Sequence, residues 1–254
     1  MTRPAPDLRV KLAETEAELR SAQRLRYRVF VEELGGGGAM VDHQNRLEMD
    51  RFDAHFDHLI LIDHACKADA LNSVIGVYRL LRGEKAAEVG QFYSEDEYDL
   101  SVLKTSGRRL LELGRSCLDA KYRGGAAMFY LWNGLADYIE VHNIEILFGV
   151  ASFHGTDINA LQQSLSLLHH RHLAPPDLRP HAHPAHFQRM DLLDEVQIDR
   201  RSAMREVPAL IKAYLRLGGF VGEGAYVDEA FNTTDVLLMW DLRRMNTKPK
   251  TLYS

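Results

Sequence analysis

A carboxylate and a guanidinium stand three residues apart in the segment LLELGRSCLDAKYRGG, as Glu112 and Arg115. The apolar residues around them predict a β-strand over residues 108–120. Side chains at positions i and i+3 of a regular strand point to opposite faces, so we expect Gly114 to bring the pair together through a bulge. A bulge would free backbone N–H groups for an extended ligand. The alternative is an ion pair that only orients two loops.

A basic, glycine-rich turn follows this strand directly. It holds Lys121, Arg123, Gly124 and Gly125, and the periodicity after it predicts a helix over residues 125–142. Such a turn at a helix N-terminus offers backbone N–H groups and the positive end of the helix dipole to an anion. The pattern therefore indicates a phosphate site, with a solvated basic turn as the alternative.

The hydrophobic periodicity in the rest of the chain predicts the helices and strands that position these groups. Further strands are predicted over 8–13, 58–64, 73–82, 144–153, 219–228 and 234–242. Further helices are predicted over 14–34, 157–173 and 202–218. This order predicts a single domain over residues 1–254, a mixed sheet with helices on both faces. One Pro- and His-rich segment, 174–187, is expected to be irregular.

Composition excludes several classes of protein. The chain has 254 residues and a net charge of −5, which argues against a general nucleic-acid binder. It lacks a signal-peptide pattern and a membrane-length apolar run, so we expect a cytoplasmic location. Its two cysteines, Cys66 and Cys117, match no metal or redox spacing and are expected to be reduced. The histidines of 169–186 lack acidic or cysteine partners at fixed spacing, so no metal site is expected.

Four motifs in order resemble those of the acyl-homoserine-lactone synthases. They are RYRVF, MDRFD, GVYRLLR and ELGR, and the matching positions are Arg26 and Phe30, Asp50 and Asp53, Arg79, and Glu112 and Arg115. The synthases carry a tryptophan six residues after the phenylalanine, where this chain has Gly36. The run KYRGGA resembles the pantetheine-phosphate loop of GNAT-type N-acyltransferases. The long C-terminal part and LFGVASFHGTD resemble the related bacterial ornithine N-acyltransferases, and that likeness covers residues 8 to 245.

The resemblance implies a fold and an activity. The fold is the GNAT-type α/β fold: a mixed, mostly antiparallel sheet with helices on both faces and a splayed central strand pair. The activity is transfer of a 3-hydroxyacyl group from acyl carrier protein to the α-amine of L-ornithine, which forms lyso-ornithine lipid. The only cofactor implied is the carrier's phosphopantetheine arm. The product is a single-chain amphiphile, so peripheral contact with the inner membrane is a further hypothesis.

The resemblance also implies roles for named residues. Glu112 would accept a proton from the attacking amine, and Arg115 would orient Glu112 or bind the ornithine carboxylate. Asp50 and Asp53 would select the cationic acceptor. Apart from the resemblance, the segment FNTTD before the end of the chain has two interpretations: its position would place Asp235 near the amine site, or it is a turn in which Asn232 caps the last strand.

Other residues complete the expected site. Arg26, Phe30 and Arg79 would line the acceptor site. The alternative role for Asp50 and Asp53 is to form ion pairs with Arg26 or Arg79. The basic turn, Lys121, Arg123, Gly124 and Gly125, would hold the pantetheine phosphate.

Three rival functions remain open from the sequence. The first is a lactone synthase that uses S-adenosylmethionine, against which the missing tryptophan and the extended C-terminal part argue. The second is an N-acyltransferase for another amine. The third is a non-catalytic module that binds a carrier protein or an acyl chain, and it predicts that changes at Glu112 leave function intact.

Overall fold

The computed structural model describes residues 6–65, 72–229 and 231–244; Cys66 lies outside them. The strands are β1 (Leu8–Leu12), β2 (Asp57–Asp63), β3 (Val74–Arg82), β4 (Tyr98–Asp99), β5 (Leu110–Leu118), β6 (Ile146–His154), β7 (His181–Ala182), β8 (Phe187–Gln188), β9 (Phe220–Val221), β10 (Ala225–Asp228) and β11 (Thr233–Asp241). The helices are α1 (Glu16–Arg26), α2 (Gly83–Val89), α3 (Ser101–Lys104), α4 (Ala127–His142), α5 (Ile158–His172), α6 (Arg200–Glu206) and α7 (Ala209–Arg216).

The chain divides into two compact units. Of the described residues, the first unit contains 6–65, 72–90 and 113–143, and the second contains 91–112, 144–229 and 231–244. Strand β5 begins in the second unit and ends in the first. The single domain over 1–254 stays a prediction.

The first unit is a sheet with a helix on each face. Its strand order is β1-β2-β3-β5, and β2 pairs antiparallel with both β1 and β3. Successive side chains of a strand point to opposite faces. Ile60 of β2 accordingly packs in a buried cluster with Ala22 and Leu25 of α1. Its neighbour Leu59 points to the other face, where it lies against Gly134 of α4. The predicted helices on both faces are therefore confirmed in this unit.

The second unit is a mixed sheet. The start of β5 pairs with β6 in parallel, through Leu110–Glu112 and Ile146–Phe148. The other ladders of this unit, β6 with β11, β11 with β9 and β10, and β10 with β8, are antiparallel. The longest joins Ile146–His154 to Thr233–Asp241 over the full length of both strands. The mixed, mostly antiparallel sheet is confirmed. The splayed central strand pair stays a prediction.

Several predicted boundaries need correction. The helix predicted over 202–218 is two helices, α6 and α7, because Pro208 has no N–H to donate and forces Val207 into an extended conformation. The helix predicted over 14–34 is regular only to Arg26 and continues as a π-helical segment, Tyr27–Glu33. Helix α2 was not predicted. The irregular segment 174–187 holds short 3₁₀ turns and the short strand β7, and β8 begins at its last residue.

None of the helices among the described residues is both long enough and apolar enough to cross a bilayer.

The close approach of α4 to β1 generates a prediction. A Cβ atom on Gly134 would lie 2.7 Å from Cγ2 of Val10 and 3.3 Å from Cδ1 of Leu59. Alanine favours a helix over glycine by about 1 kcal/mol, but overpacking a core costs typically about 1–3 kcal/mol. We expect Gly134→Ala to lower the free energy of unfolding, measured by urea titration. Val141→Ala, at an exposed position of the same helix, should change it by less than about 0.5 kcal/mol. A Gly134→Ala protein more stable than wild type would contradict the packing.

Candidate active site

Six charged side chains meet in the first unit. They come from the end of α1, from β3, from β5 and from the loop before β2, and they are Arg26, Arg79, Arg115, Glu48, Asp50 and Asp53. Three are cationic and three are anionic. We call this set the ionic cluster. Five of its members come from the sequence motifs, and Glu48 is the one that sequence reasoning missed.

The core of the ionic cluster is buried. Arg26 is fully buried and pairs with Glu48 and with Asp53, its Nη1 atom lying 2.8 Å from Oδ1 of Asp53. Arg79 is also fully buried, and its Nη1 atom lies 2.7 Å from Oδ1 of Asp53 and 2.7 Å from Oδ2 of Asp50. Gln23 donates from Nε2 to the second oxygen of Asp53 at 2.9 Å. Asp53 therefore holds α1 and β3 together through two guanidinium groups.

Burial and neighbouring charges together shift the pKa values of Asp53, Glu48 and His58. Burial alone would raise the pKa of Asp53, but the charges of Arg26 and Arg79 outweigh it and lower that pKa to about 2. Burial likewise opposes the ionised form of Glu48, and Arg26 and Arg115 lower its pKa below the usual value. Burial lowers the pKa of the adjacent His58, and the two buried arginines lower it further, which favours the neutral imidazole.

Arg115 joins the ionic cluster from a left-handed backbone conformation. Its φ is 49°, which is uncommon for a residue with a side chain and interrupts a regular strand. Its Nε atom donates to Oε1 of Glu48 at 2.9 Å, and its Nη2 atom lies 3.7 Å from Oδ2 of Asp50. The guanidinium carbon lies 5.8 Å from the ring centre of Phe30. The expected bend in β5 thus has its positive φ at Arg115, whereas Gly114 has none.

Two members of the ionic cluster remain accessible. The side chains of Asp50 and Arg115 are each 21% exposed, whereas those of Arg26 and Arg79 are 0% exposed and that of Glu48 is 6% exposed. One accessible carboxylate beside one accessible guanidinium is complementary to a molecule that carries both an ammonium and a carboxylate group. The buried members hold that pair in place.

Glu112 lies in the second unit and is buried. Its Oε2 atom accepts from the N–H of Tyr93 at 2.8 Å, and its Oε1 atom accepts from the N–H of Ser94 at 2.6 Å and from the Ser94 hydroxyl. The carboxylate thus caps the 3₁₀ turn Tyr93–Asp96 and is fixed by three donors. Tyr93 and Ser94 were not identified from the sequence, since backbone donors carry no residue signature.

Asp235 lies in the same unit on β11, also buried. Its Oδ2 atom accepts from the Thr233 hydroxyl at 3.2 Å. The register places Asp235 opposite Ser152 of β6, while Glu112 is opposite Phe148 of the same strand. Four residues along a strand span about 13 Å, so Asp235 and Glu112 are separated along β6.

The basic turn lies in the first unit, immediately before α4. All of its predicted phosphate-binding residues, Lys121, Arg123, Gly124 and Gly125, are exposed. Gly124 has a φ of 76°, a conformation that favours glycine. Arg123 donates from Nε to the carbonyl of Leu118 at 3.1 Å and pairs with Glu33 at 2.6 Å. The turn therefore presents its backbone and its cations to solvent at a helix N-terminus, which is the geometry of an anion site.

One free cysteine, Cys117, lies among the described residues and is buried. Burial raises the pKa of the Cys117 thiol to about 12, so the unreactive thiol form is favoured. Within residues 6–65, 72–229 and 231–244, no group of three or more histidine, cysteine, aspartate or glutamate side chains is arranged to hold a metal ion.

Known proteins resemble this chain in sequence and in fold. A family model described as "Acetyltransferase (GNAT) domain" matches residues 25–133. A protein of Rhodobacter capsulatus named L-ornithine N(alpha)-acyltransferase is 60% identical over 245 residues, or 96% of this chain and 94% of that protein. A protein of Brucella abortus with the same name is 41% identical over 248 residues, or 97% of this chain and 88% of that protein.

One solved structure bears on the fold. The crystal structure of the AHL synthase LasI is similar with a TM-score of 0.53, covers 97% of this chain and 94% of that chain, and is 15% identical in sequence. At this identity the likeness establishes the fold alone. The predicted GNAT-type fold is confirmed.

The ionic cluster predicts a specific loss of stability in acid. A carboxyl group whose pKa is lower in the folded state stabilises the fold above its unfolded pKa, and that contribution is lost as the pH falls through the folded pKa. For Asp53 the window runs from the usual value of 3.8 down to about 2. The free energy of unfolding of the wild type should fall by about 2 kcal/mol more across this window than that of Asp53→Asn.

Urea titrations at a series of pH values would measure this difference. Asp177→Asn, at an exposed carboxylate, should follow the wild-type pH dependence. If the free energy of unfolding fell equally with pH in the wild type and in Asp53→Asn, the lowered pKa of Asp53 would be contradicted.

Proposed function

Because the chain belongs to the L-ornithine N(alpha)-acyltransferase family, we propose that its ionic cluster binds ornithine and that a 3-hydroxyacyl group arrives on acyl carrier protein. The chain is an N-acyltransferase, and ornithine is the acceptor in the names of its relatives. The product is then lyso-ornithine lipid. The observation that carries the acceptor proposal is the accessible pair Asp50 and Arg115 on a buried ionic base.

The acceptor is a small molecule with opposite charges at fixed separation. Arg115 can bind the α-carboxylate as a two-pronged donor, while Asp50 receives an ammonium group. Arg79 holds Asp50 at 2.7 Å, and Glu48 holds Arg115 at 2.9 Å. Asp53 and Arg26 lie beneath this pair and support it, and Phe30 supports Arg115 from one side. The substrate-binding role is thus divided between accessible groups and buried supports.

The reaction requires a free amine. The α-ammonium loses a proton, its nitrogen attacks the thioester carbon, the C–N bond forms, and the C–S bond breaks to release the carrier thiol. We assign the proton to Glu112, which its three donors hold in one orientation. Its side chain is buried, so a water molecule relays the proton. Glu112 and Arg115 are three residues apart, so their Cα atoms are at most about 11 Å apart.

The tetrahedral intermediate places negative charge on the former thioester oxygen. Backbone N–H groups of residues 113–116 are the proposed donors to it, since the left-handed conformation of Arg115 breaks the strand pattern there. One such donor is typically worth about 3 kcal/mol of transition-state stabilisation. Asp235 is proposed to attract the amine through its negative charge.

The donor brings a phosphodiester on its pantetheine arm. The exposed turn with Lys121, Arg123, Gly124 and Gly125 is the proposed phosphate site, and no other cofactor is proposed. Arg123 pairs with Glu33 in solvent, where an ion pair contributes at most about 1 kcal/mol. A phosphate can therefore displace Glu33 at little cost. The amphiphilic product must finally reach a bilayer, so we also propose a peripheral contact with the cytoplasmic face of the inner membrane.

Competition between acceptors tests the acceptor site. Purified protein is given 3-hydroxyacyl carrier protein with equal amounts of ornithine, lysine, glycine and S-adenosylmethionine, and products are identified by mass spectrometry. We expect acylated ornithine as the main product. Asp50→Asn should raise the KM for ornithine about 10- to 100-fold, because one charged contact is worth about 1.5–3 kcal/mol.

The control is Asp96→Asn, which changes an exposed carboxylate of the second unit and should leave the KM unchanged. A lactone product, or acylation of another amine in preference to ornithine, would overturn the proposal. So would an absence of product, which the binding-module alternative predicts.

The role of Glu112 has its own test. Glu112→Gln should lower the rate constant about 10²- to 10⁴-fold and remove the acidic limb of the pH profile of kcat/KM, because the base is gone. Binding of acyl carrier protein should be unchanged. Ser94→Ala removes one donor to the carboxylate but keeps the base, so its profile should retain the acidic limb. If Glu112→Gln lowers only the melting temperature and leaves the pH profile intact, Glu112 only positions the turn at Tyr93.

A further inference from the structure

Four cations on the second unit have no ion-pair partner within the part of the chain that the structure describes. They lie on two consecutive helices, α6 and α7, and are Arg201, Arg205, Lys212 and Arg216. Other basic residues nearby are neutralised, as Arg189 is by Asp191 and Arg200 is by Glu195. Against these four stands one acid within the two helices, the exposed Glu206 of α6, so a local excess of positive charge remains in a chain with a net charge of −5. We call them the basic stripe.

The basic stripe is continuous across the break between the helices. Arg201 and Arg205 are four residues apart on α6, and Lys212 and Arg216 are four apart on α7, so each pair shares one helix face. The ammonium group of Lys212 donates to the carbonyl of Arg205 at 3.1 Å, which joins the two pairs. The three arginines are exposed and Lys212 is half-buried.

The opposite faces of both helices are anchored in the second unit. The Ser164 hydroxyl donates to the carbonyl of Ala203 at 3.0 Å, and the indole N–H of Trp240 donates to the carbonyl of Tyr214 at 2.9 Å. Ile211, Tyr214 and Leu215 are buried. The stripe is therefore held on a fixed scaffold and its orientation toward solvent is set by packing.

The outer surface of α7 is amphipathic. Leu210, Ala213 and Leu217 are half-buried and recur at the spacing of one helix face, beside Lys212 and Arg216. The sequence of α7, ALIKAYLR, contains no acidic residue. Cations next to partly accessible apolar groups are typical of helices that lie at a membrane interface, where the cations meet anionic headgroups and the apolar groups enter shallowly.

We propose that the basic stripe and the outer surface of α7 bind the anionic surface of a lipid bilayer. The biological purpose of this binding, delivery of an amphiphilic product, rests on the proposed function. The binding of the protein to a bilayer can be measured independently of acyl transfer. An anionic segment of a protein partner would fit the four cations, but it would leave Leu210, Ala213 and Leu217 without a role. The bilayer accounts for both the charges and the apolar side chains.

Vesicle sedimentation of the full chain tests the proposal. The probes are vesicles of phosphatidylcholine alone and of phosphatidylcholine mixed with phosphatidylglycerol. We expect binding to the mixed vesicles that weakens with added salt, and little binding to the neutral ones. Each cation near an anionic surface changes affinity about fivefold, so replacing all four basic-stripe residues by glutamine should weaken binding at least about a hundredfold. The mass-spectrometric assay with soluble substrates should be unaffected by this variant.

The matched control replaces four exposed cations that already have acidic partners, Arg20, Lys85, Arg189 and Arg243, and so changes the net charge equally. It should retain binding within about threefold of wild type. Circular dichroism verifies the fold of both variants. If the variant without the basic stripe does not fold, the salt dependence of wild-type binding still tests the proposal.

Three results would overturn the proposal. They are no binding of the wild type to the mixed vesicles, an equal loss of vesicle binding in the control variant, and a basic-stripe variant that loses carrier-protein binding but still binds vesicles. Failure of the ornithine assay alone would count against the proposed function and leave this surface standing.

Discussion

Two fully buried arginines set the constraint on which the first unit depends. Removing a guanidinium from water costs several kcal/mol, and only paired carboxylates at hydrogen-bond distance recover that cost. Arg26 and Arg79 meet this requirement by sharing Asp53 and by taking Glu48 and Asp50 as second partners. The loop that carries these acids is consequently fixed against α1 and β3. A substrate-facing pair can therefore be built on a loop without the mobility that loops usually have.

The two proposed chemical roles are supported in different ways. Asp50 and Arg115 are positioned by charges, whereas Glu112 is positioned by the backbone N–H groups of Tyr93 and Ser94. Ionic support places a carboxylate and a guanidinium side by side, facing a charged ligand. Two backbone N–H groups and the Ser94 hydroxyl fix the Glu112 carboxylate in one orientation. One strand, β5, carries residues of both kinds, since Glu112 belongs to the second unit and Arg115 to the first.

The sequence predicted most of the elements because their periodicities are strong and their ends carry glycine, proline or capping residues. Five members of the ionic cluster were singled out by their likeness to the motifs of the acyl-homoserine-lactone synthases. The ion pairs of Asp50 and Asp53 with Arg26 and Arg79, which the sequence offered as an alternative role, are present in the structure. Glu48 was missed because an acid in a polar loop has no distinguishing pattern. The bulge was expected at Gly114, but the unusual backbone conformation lies one residue later, at Arg115, whose guanidinium pairs with Glu48. The break at Pro208 could have been predicted from proline alone.

The π-helical segment Tyr27–Glu33 determines which kinds of genetic change this protein tolerates. A π-helix holds nearly one residue more per turn than an α-helix, so it can absorb an inserted residue while the helix before it keeps its direction. Arg26, which is fully buried, lies just before the segment, and Glu33, which pairs with Arg123, ends it. A chain one residue shorter here can close the segment into an α-helix with both ends still facing as they do, whereas Phe30 in its middle would shift relative to Arg115. Variation in length is therefore expected inside this segment before it is expected on either side of it.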